Sequence, residues 1–183
     1  LINLDFSLVD ICFFSSQKTF GLPAGLGIWI TNTDLANSLS EKYLTTGRSA
    51  HNILVDYIKN YKNFQTPSTP NTLGVYLMAK VAAEMNKVGR AKLISNMLEK
   101  KSLYQNLFAT NKYLGLVNAS DHSSDTVIVT EYLKDKDLVD DLLISNGIIP
   151  SLGYGDNKNT QLRFANFPAN TFEDIEYLSK VLK

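Results

Sequence analysis

Residues 15–27 have the sequence SSQKTFGLPAGLG, which sets one lysine, Lys18, at the head of a loop with three glycines and a proline. Apolar runs lie on both sides, at residues 11–14 and 26–30, and they predict two buried β-strands joined by this loop. A lysine desolvated in such a turn holds its proton less tightly, so its neutral amine can attack a carbonyl and form a Schiff base. The stretch therefore predicts either a reactive amine or, as for most lysines, a solvated charge.

Two other segments support the first alternative. Residues 64–71 have the sequence FQTPSTPN, and residues 161–168 have the sequence QLRFANFP. With the lysine segment they resemble, in the same order, motifs of class V aminotransferases and especially of the phosphoserine aminotransferase group. That group has Gln-Lys before a G-x-P-A-G-L turn, then N-T-P-P-T, then R-x-x-N. The resemblance spans about residues 5–171, although residues 90–134 carry no motif.

The resemblance implies an enzyme that uses pyridoxal 5'-phosphate and exchanges an amino group between an amino acid, glutamate by analogy, and a 2-oxo acid. In the phosphoserine group that acid is 3-phosphohydroxypyruvate, in serine biosynthesis. An aminotransferase of the alanine-glyoxylate kind also carries Ser-Gln-Lys and stays open. Cysteine desulfurases fit less well, because they usually have His before the lysine and a catalytic Cys on a mobile loop, whereas Cys12 precedes Lys18. A further alternative is an inactive carboxyl-terminal module.

The resemblance also implies roles for individual residues. Lys18 would be the Schiff-base lysine and would move a proton on the substrate. Gln17 would lie against the cofactor phosphate. Gln65 and Thr66 would reach the phosphate of the opposite subunit in a homodimer with shared active sites, although the family usually has Asn at the position of Gln65. Arg163 would hold the substrate carboxylate.

The residue type and the strand position of Arg163 are consistent with this role. The chain has three arginines, and a planar guanidinium can hold a carboxylate with two parallel hydrogen bonds. In a strand, Leu162 and Phe164 would face the core, so Arg163 would point to the opposite face. The alternative is a surface ion pair.

Recognition of a substrate phosphate is less well supported. Members of the group that act on phosphoserine have His-Arg six or seven residues before the equivalent arginine, where this chain has Asp156 and Asn157. Lys158, or Arg48 together with His51, could supply a replacement positive charge.

The glycines at 21, 25 and 27 lack the G-x-G-x-x-G spacing of a dinucleotide-binding loop. We expect them to give the backbone freedom to turn sharply after the lysine. His122 is interpreted as a loop residue, and no Cys and His spacing suggests zinc, so no metal is predicted.

The composition limits the possible partners. Eighteen basic and eighteen acidic residues cancel, so there is no basic stripe that would indicate nucleic acid or an anionic membrane. Small-molecule substrates remain. A single cysteine, Cys12, excludes an internal disulfide and favours a cytoplasmic setting. No run approaches the roughly 20 apolar residues that a membrane span needs.

The resemblance implies that residues 1–70 end a large cofactor-binding domain of the fold type I kind and that a small domain follows at residues 71–183. The pattern of predicted elements independently gives an α/β fold, with helices packed against a mostly antiparallel sheet. Because the chain begins with Leu1, and the family's lysine normally lies near the middle of a chain about twice this length, we expect a carboxyl-terminal half.

Caps and periodicity predict the elements. Helices are expected at 34–44 with a cap at Thr33 or Asp34, at 70–88 with a cap at Thr69, at 90–108, at 136–146 and from Thr171 onwards. Gly89 and Gly147 would end two of them. The helices at 70–88 and 90–108 should each bury an apolar face. Strands are expected at 113–117, 126–131 and 161–167, and a loop is expected at 45–50. The predicted buried positions are Leu73, Tyr76, Leu77, Val81 and Met85 in the second helix, and Leu93, Ile94, Met97, Leu98 and Leu107 in the third.

Overall fold

The computed structural model describes residues 4–44, 54–118 and 122–183. The chain forms two compact units. The first comprises Leu1–Lys18 and Leu22–Ala82, and the second comprises Thr19–Gly21 and Ala83–Lys183. The predicted domain boundary after residue 70 stays a prediction, and the boundary between the compact units lies twelve residues later, inside a helix. The predicted loop at 45–50 lies outside the described residues.

The first unit contains an antiparallel hairpin and the helices that follow it. Strand β1 (Ile11–Ser15) pairs with β2 (Gly27–Thr31), so that Phe13 lies opposite Trp29. Helices α1 (Thr33–Leu44) and α2 (Leu54–Tyr61) come next, and α3 (Thr72–Val88) runs from this unit into the second. The sequence predicted α1 and α3, but it assigned no element to α2.

The prediction that the two hairpin strands are buried is wrong for this structure. Phe13 is 75% exposed and Trp29 is 61% exposed, although their rings pack across the strands with centroids 6.3 Å apart. An apolar run is buried only where another layer covers it. Among the described residues of this unit, no layer covers the face that carries these two rings.

The buried stripe predicted for α3 is also wrong, for the same reason. The helix contains no buried residue, and Leu73 is 66% exposed. Leu77, Val81 and Met85 are half-buried. The sequence therefore predicted the helix correctly but predicted more burial than the helix has.

The helix starts differ from the predicted caps by one to two residues. The side-chain oxygen of Asn32, and not Thr33 or Asp34, accepts from the backbone N–H groups of Asp34 and Leu35 at 2.9 and 3.1 Å. Asn71, and not Thr69, does the same for Gly74 at 2.9 Å. Asparagine is a strong helix cap, because its short side chain reaches the free N–H groups of the first turn.

The second unit is built on a four-stranded antiparallel sheet. Its strands lie in the order β3 (Leu114–Leu116), β4 (Val127–Tyr132), β6 (Gln161–Ala165) and β5 (Ser151–Leu152). Helices α4 (Arg90–Ala109), α5 (Lys136–Ser145) and α6 (Phe172–Val181) contribute to its core. The predicted α/β class and antiparallel sheet are confirmed; β5 was too short to predict.

The hydrophobic core of this unit joins its helices to its sheet. Arg163 lies between the buried Leu162 and Phe164 of β6, and is itself half-buried, as the strand alternation predicted. In α4 the predicted Met97 is buried, Leu93, Ile94 and Leu107 are half-buried, and only Leu98 of the predicted positions is exposed. The buried row continues beyond the prediction through Lys100, Tyr104 and Phe108. The core cluster comprises Tyr104, Phe108, Leu114, Ile128, Val139, Leu143, Leu162, Phe164, Ile175, Leu178 and Leu182.

Three helix ends, those at α3, α5 and α6, agree with the sequence prediction. Gly89 and Gly147 have φ angles of 82° and 72°, and each follows the end of a helix. At α6, Thr171 accepts from the N–H of Asp174, whose carboxylate accepts from the N–H of Thr171, which completes the predicted capping box.

Candidate active site

Lys18 lies in a turn that Ser16 closes. The Ser16 side chain is fully buried, its backbone N–H donates to the carbonyl of Leu26 at 3.1 Å, and its own carbonyl accepts from Leu22 at 3.2 Å. Its hydroxyl also donates to the carbonyl of Pro23 at 3.2 Å. Three hydrogen bonds from one residue thus hold together the two ends of the loop that carries Lys18.

The side chains of Gln17 and Lys18 are exposed at the tip of this turn. Of the two alternatives that the sequence left open, a desolvated lysine and a solvated one, the described structure of this unit has the solvated one. Both side chains are instead available to a bound molecule. Their roles as cofactor ligands stay predictions.

Two of the three glycines have the predicted conformational role. Gly21 and Gly25 have φ angles of 64° and 114°, which residues other than glycine rarely adopt. Gly27 is the first residue of β2 and has no such angle. Glycine at position 27 is therefore not required by the backbone.

Gln65 and Thr66 lie in an exposed segment that forms an open concavity of about 520 Å³ lined by residues 64–70. The segment is anchored where the backbone N–H of Gln65 donates to the carbonyl of Asn60 at 3.0 Å. The Thr66 hydroxyl donates to the carbonyl of Ser68 at 2.6 Å. Since a hydroxyl has one hydrogen, Thr66 would have to release Ser68 in order to donate to a phosphate.

Arg163 is held on two sides within the second unit. Its Nε–H donates to the carbonyl of Leu152 at 2.7 Å, and its guanidinium carbon lies 3.8 Å from the centroid of the Tyr154 ring. Among the described residues, its two terminal nitrogens donate to none. This leaves the end of the guanidinium fork open to an anion.

The sequence did not indicate that Lys100 is buried. Its side chain is 3% exposed, and its Nζ donates to the carbonyls of Phe167 and Asn170 at 2.8 and 2.6 Å. Burial lowers the pKa of Lys100, while the negative charge of Asp174 opposes that effect. The spacing of Met97, Lys100 and Tyr104 could have predicted this burial, because it puts the lysine on the core face of α4.

Asn166 is the second polar residue whose position the sequence did not predict. Its side chain is fully buried, and its amide donates to the carbonyls of Met97 and Asp125 at 2.9 and 2.8 Å. These bonds join the end of β6 to α4 and to the residues before β4. The asparagine of the R-x-x-N segment therefore has a structural role in this unit.

Lys158, one of the residues predicted as a replacement for the His-Arg pair, is exposed in the 3₁₀ helix Gly155–Asn159, after β5. Asp156 and Asn157, which occupy the positions of that pair, are exposed in the same helix. Arg48 and His51 lie outside the described residues. His122 is exposed, and the part of the chain that the structure describes contains no cluster of metal-binding side chains. None of the described helices is long and apolar enough to cross a membrane.

The match to a family model agrees with the motifs, whereas a relative in sequence carries the name of the cysteine desulfurase class that fitted the motifs less well. Residues 2–178 match the family model described as aminotransferase class-V. A probable cysteine desulfurase of Mycoplasma genitalium is 27% identical over the whole chain and 46% of its own length.

Comparison with solved structures finds aminotransferases with a similar fold. A phosphoserine aminotransferase from Cytophaga hutchinsonii has a TM-score of 0.83 and 32% identity over 97% of this chain and 50% of its own. An alanine–glyoxylate aminotransferase from Nostoc sp. has a TM-score of 0.76 and 17% identity over 95% of this chain and 47% of its own. This chain thus spans about half the length of these proteins.

Proposed function

Because this chain belongs to the class V aminotransferase family, we propose that it is part of an aminotransferase of the phosphoserine aminotransferase kind. Pyridoxal phosphate is the cofactor of the family, as the motifs predicted. The enzyme would exchange an amino group between an amino acid, glutamate by analogy, and a 2-oxo acid. The three motifs in family order and the 32% identity to a phosphoserine aminotransferase support the phosphoserine aminotransferase kind, whose 2-oxo acid would be 3-phosphohydroxypyruvate.

The exposed side chains of the first unit suit the cofactor chemically. Lys18 offers an amine for its aldehyde, while the Gln17 and Gln65 amides are hydrogen-bond donors suited to its phosphate, as is the Thr66 hydroxyl once it releases Ser68. The bound cofactor supplies an electron sink for the substrate's α-carbon. Lys18 Nζ would take the proton from that carbon and deliver it to the cofactor's former aldehyde carbon, and it would carry a proton the opposite way in the second half-reaction.

Arg163 would orient the substrate. A carboxylate can accept two parallel hydrogen bonds from a guanidinium, and the terminal nitrogens of Arg163 are the ones that its contacts with Leu152 and Tyr154 leave open. This open fork on the sheet face opposite the core is the observation that carries the proposal. Every amino-acid and oxo-acid substrate of the enzyme would share this contact.

Two alternatives differ in what they predict. An enzyme of the alanine–glyoxylate kind would need no phosphate contact, and the presence of Asp156 and Asn157 in place of His-Arg favours it. A carboxyl-terminal module without activity is favoured by the exposed hairpin and by the half-length match. We propose instead an enzyme of the phosphoserine aminotransferase kind that works as a homodimer in the cytoplasm. Gln65 and Thr66 of one subunit would complete the active site of the other.

The deciding experiment compares 3-phosphohydroxypyruvate, hydroxypyruvate and glyoxylate as amino acceptors for the intact enzyme. A charge-assisted contact with phosphate contributes roughly 1.5–3 kcal/mol, so the phosphorylated acid should be favoured about 10- to 150-fold in kcat/KM. Equal rates with the first two acids would exclude the phosphoserine kind and leave a general class V aminotransferase. An enzyme that stays colourless and inactive with added cofactor would support the inactive module.

A further inference from the structure

The Arg163 guanidinium is fixed by two neighbours that contribute no charge. Leu152 is paired with Leu162 across the sheet, and its carbonyl accepts the Nε–H at 2.7 Å. Tyr154 is 73% exposed, and its ring lies below the guanidinium at 3.8 Å. We call these two residues the arginine clamp. A surface arginine without such contacts samples many rotamers and must lose that freedom when it binds.

A glycine makes the arginine clamp possible. Gly153 lies between its two members, is buried, and donates its N–H to the carbonyl of Gln161 at 2.8 Å. A Cβ on Gly153 would lie 2.3 Å from the carbonyl oxygen of Asn157, so no other residue fits without moving the backbone. This close approach lets the chain leave β5 and turn into the 3₁₀ helix directly after Tyr154.

The arginine clamp uses only part of the guanidinium. Of its five N–H groups, the one on Nε is engaged by Leu152, and one face of the plane is covered by Tyr154. Within the described parts of the chain no group accepts from the four N–H groups on the terminal nitrogens, which have the fork geometry that matches a carboxylate. The ring attracts the cation by its quadrupole without neutralising the charge, as an acidic neighbour would.

We propose that Tyr154 is a positioning residue that holds Arg163 ready for the substrate carboxylate. This inference rests on the proposed function, because it assumes that Arg163 binds that carboxylate. Tyr154 acts through Arg163 and through its ring. Because the contact with Arg163 is made by the ring, Tyr154→Phe should retain the effect and Tyr154→Leu should lose it.

The first measurement needs no substrate. Since the chain has three arginines, nuclear magnetic resonance of the intact protein with labelled arginine should resolve the Arg163 side chain. Its signals should carry a ring-current shift that is retained in Tyr154→Phe and absent in Tyr154→Leu. Absence of that shift in the unmodified protein would overturn the inference whatever the variants do.

The second measurement uses glutarate, a dicarboxylate without an amino group, as the probe. Loss of the stacked ring should weaken glutarate binding about 2- to 30-fold in Tyr154→Leu, with Tyr154→Phe within twofold of the unmodified enzyme. In turnover, Tyr154→Leu should raise KM by a similar factor and leave kcat nearly unchanged. Equal losses in both variants would assign the effect to the hydroxyl and overturn the inference.

Arg163→Lys separates this inference from the proposed function. If it weakens glutarate binding while Tyr154→Leu does not, the positioning role is wrong and the proposed role of Arg163 stands. If Arg163→Lys has no effect on glutarate, the carboxylate role fails and the positioning role fails with it. Because Tyr154 is largely exposed, we expect both of its variants to fold, which circular dichroism would check.

Discussion

Lys100 and Asn170 are 70 positions apart, yet the buried Nζ of the first donates to the backbone carbonyl of the second at 2.6 Å. The same amine donates to the carbonyl of Phe167, whose N–H donates to the Asn170 side chain. One buried cation therefore fixes the turn that connects β6 to α6. This turn directly follows the segment that carries Arg163.

The first prediction concerns this lysine. Lys100→Met keeps the aliphatic stem but leaves the carbonyl of Asn170 without its buried donor, so the protein should lose about 1–3 kcal/mol of unfolding free energy. Urea unfolding near neutral pH gives the measurement. Lys92→Met, at an exposed position of the same helix, is the control and should change stability by less than about 0.5 kcal/mol. Equal effects of the two substitutions would show that the buried hydrogen bonds contribute nothing specific.

The second prediction concerns Gly21. A Cβ at this position would lie 3.0 Å from the Cβ of Ala169, and the φ angle of 64° is already unfavourable for alanine. Gly21→Ala should therefore destabilise the protein by about 1–2 kcal/mol. Thermal unfolding measures this, with Gly27→Ala as the control, because Gly27 has open space and no positive φ. A Gly21→Ala variant as stable as Gly27→Ala would contradict the described turn.

The third prediction follows from the buried phenol of Tyr104. Burial raises the pKa of Tyr104 from 10.0 to about 12, and the negative charge of Asp174 adds to the effect. Above pH 10 the unfolded chain loses the phenol proton before the folded protein does, so stability falls as the pH rises from 10 to 12. A rise of the pKa to about 12 corresponds to roughly 2–3 kcal/mol of stability.

Tyr104→Phe isolates this effect. Between pH 9 and pH 12 the unmodified protein should lose about 2–3 kcal/mol more than the variant in urea unfolding, because the variant has no phenol to ionise. The lowered pKa of Lys100 acts in the opposite direction, since its burial penalty disappears as the pH rises, but this contribution is common to both proteins. Parallel stability curves would show that the Tyr104 phenol titrates normally.

The fourth prediction tests Lys18. After borohydride reduction of the intact enzyme with its cofactor, digestion and mass spectrometry should find pyridoxyl phosphate on Lys18, and Lys18→Ala should have neither the adduct nor transamination. Lys59→Ala, at another exposed lysine of the first unit, is the control and should keep both. An adduct on Lys42 or Lys59 would refute the assignment.

The fifth prediction tests the shared site. Thr66→Ala should weaken binding of the cofactor about 10- to 150-fold, the range expected for a lost hydrogen bond to a charged phosphate, while Thr66→Ser should retain most of it. If Lys18 and Thr66 of opposite subunits form one site, mixing Lys18→Ala with Thr66→Ala subunits should restore activity, since each mixed dimer contains one intact site. No recovery after verified subunit exchange would place both residues in the same subunit's site.

The features that the sequence predicted correctly are local ones. Thr171 and Asp174 are three positions apart, and their reciprocal capping could be predicted because a helix start is decided within one turn. The same holds for Gly147 after α5, and for Arg163 between two apolar neighbours in a strand. These features depend on backbone angles and side-chain alternation, which a few residues determine.

Only the tertiary structure decided which apolar faces are covered and where the buried polar groups bond. Phe13 and Leu73 have the pattern of buried residues, yet both are exposed, because burial needs a second surface that no local pattern specifies. Lys100 looks like a solvated charge until residues 167–170 fold over it. The contact of Arg163 with Tyr154 likewise depends on the turn at Gly153, whose hydrogen bond to Gln161 forms only when β5 has paired with β6.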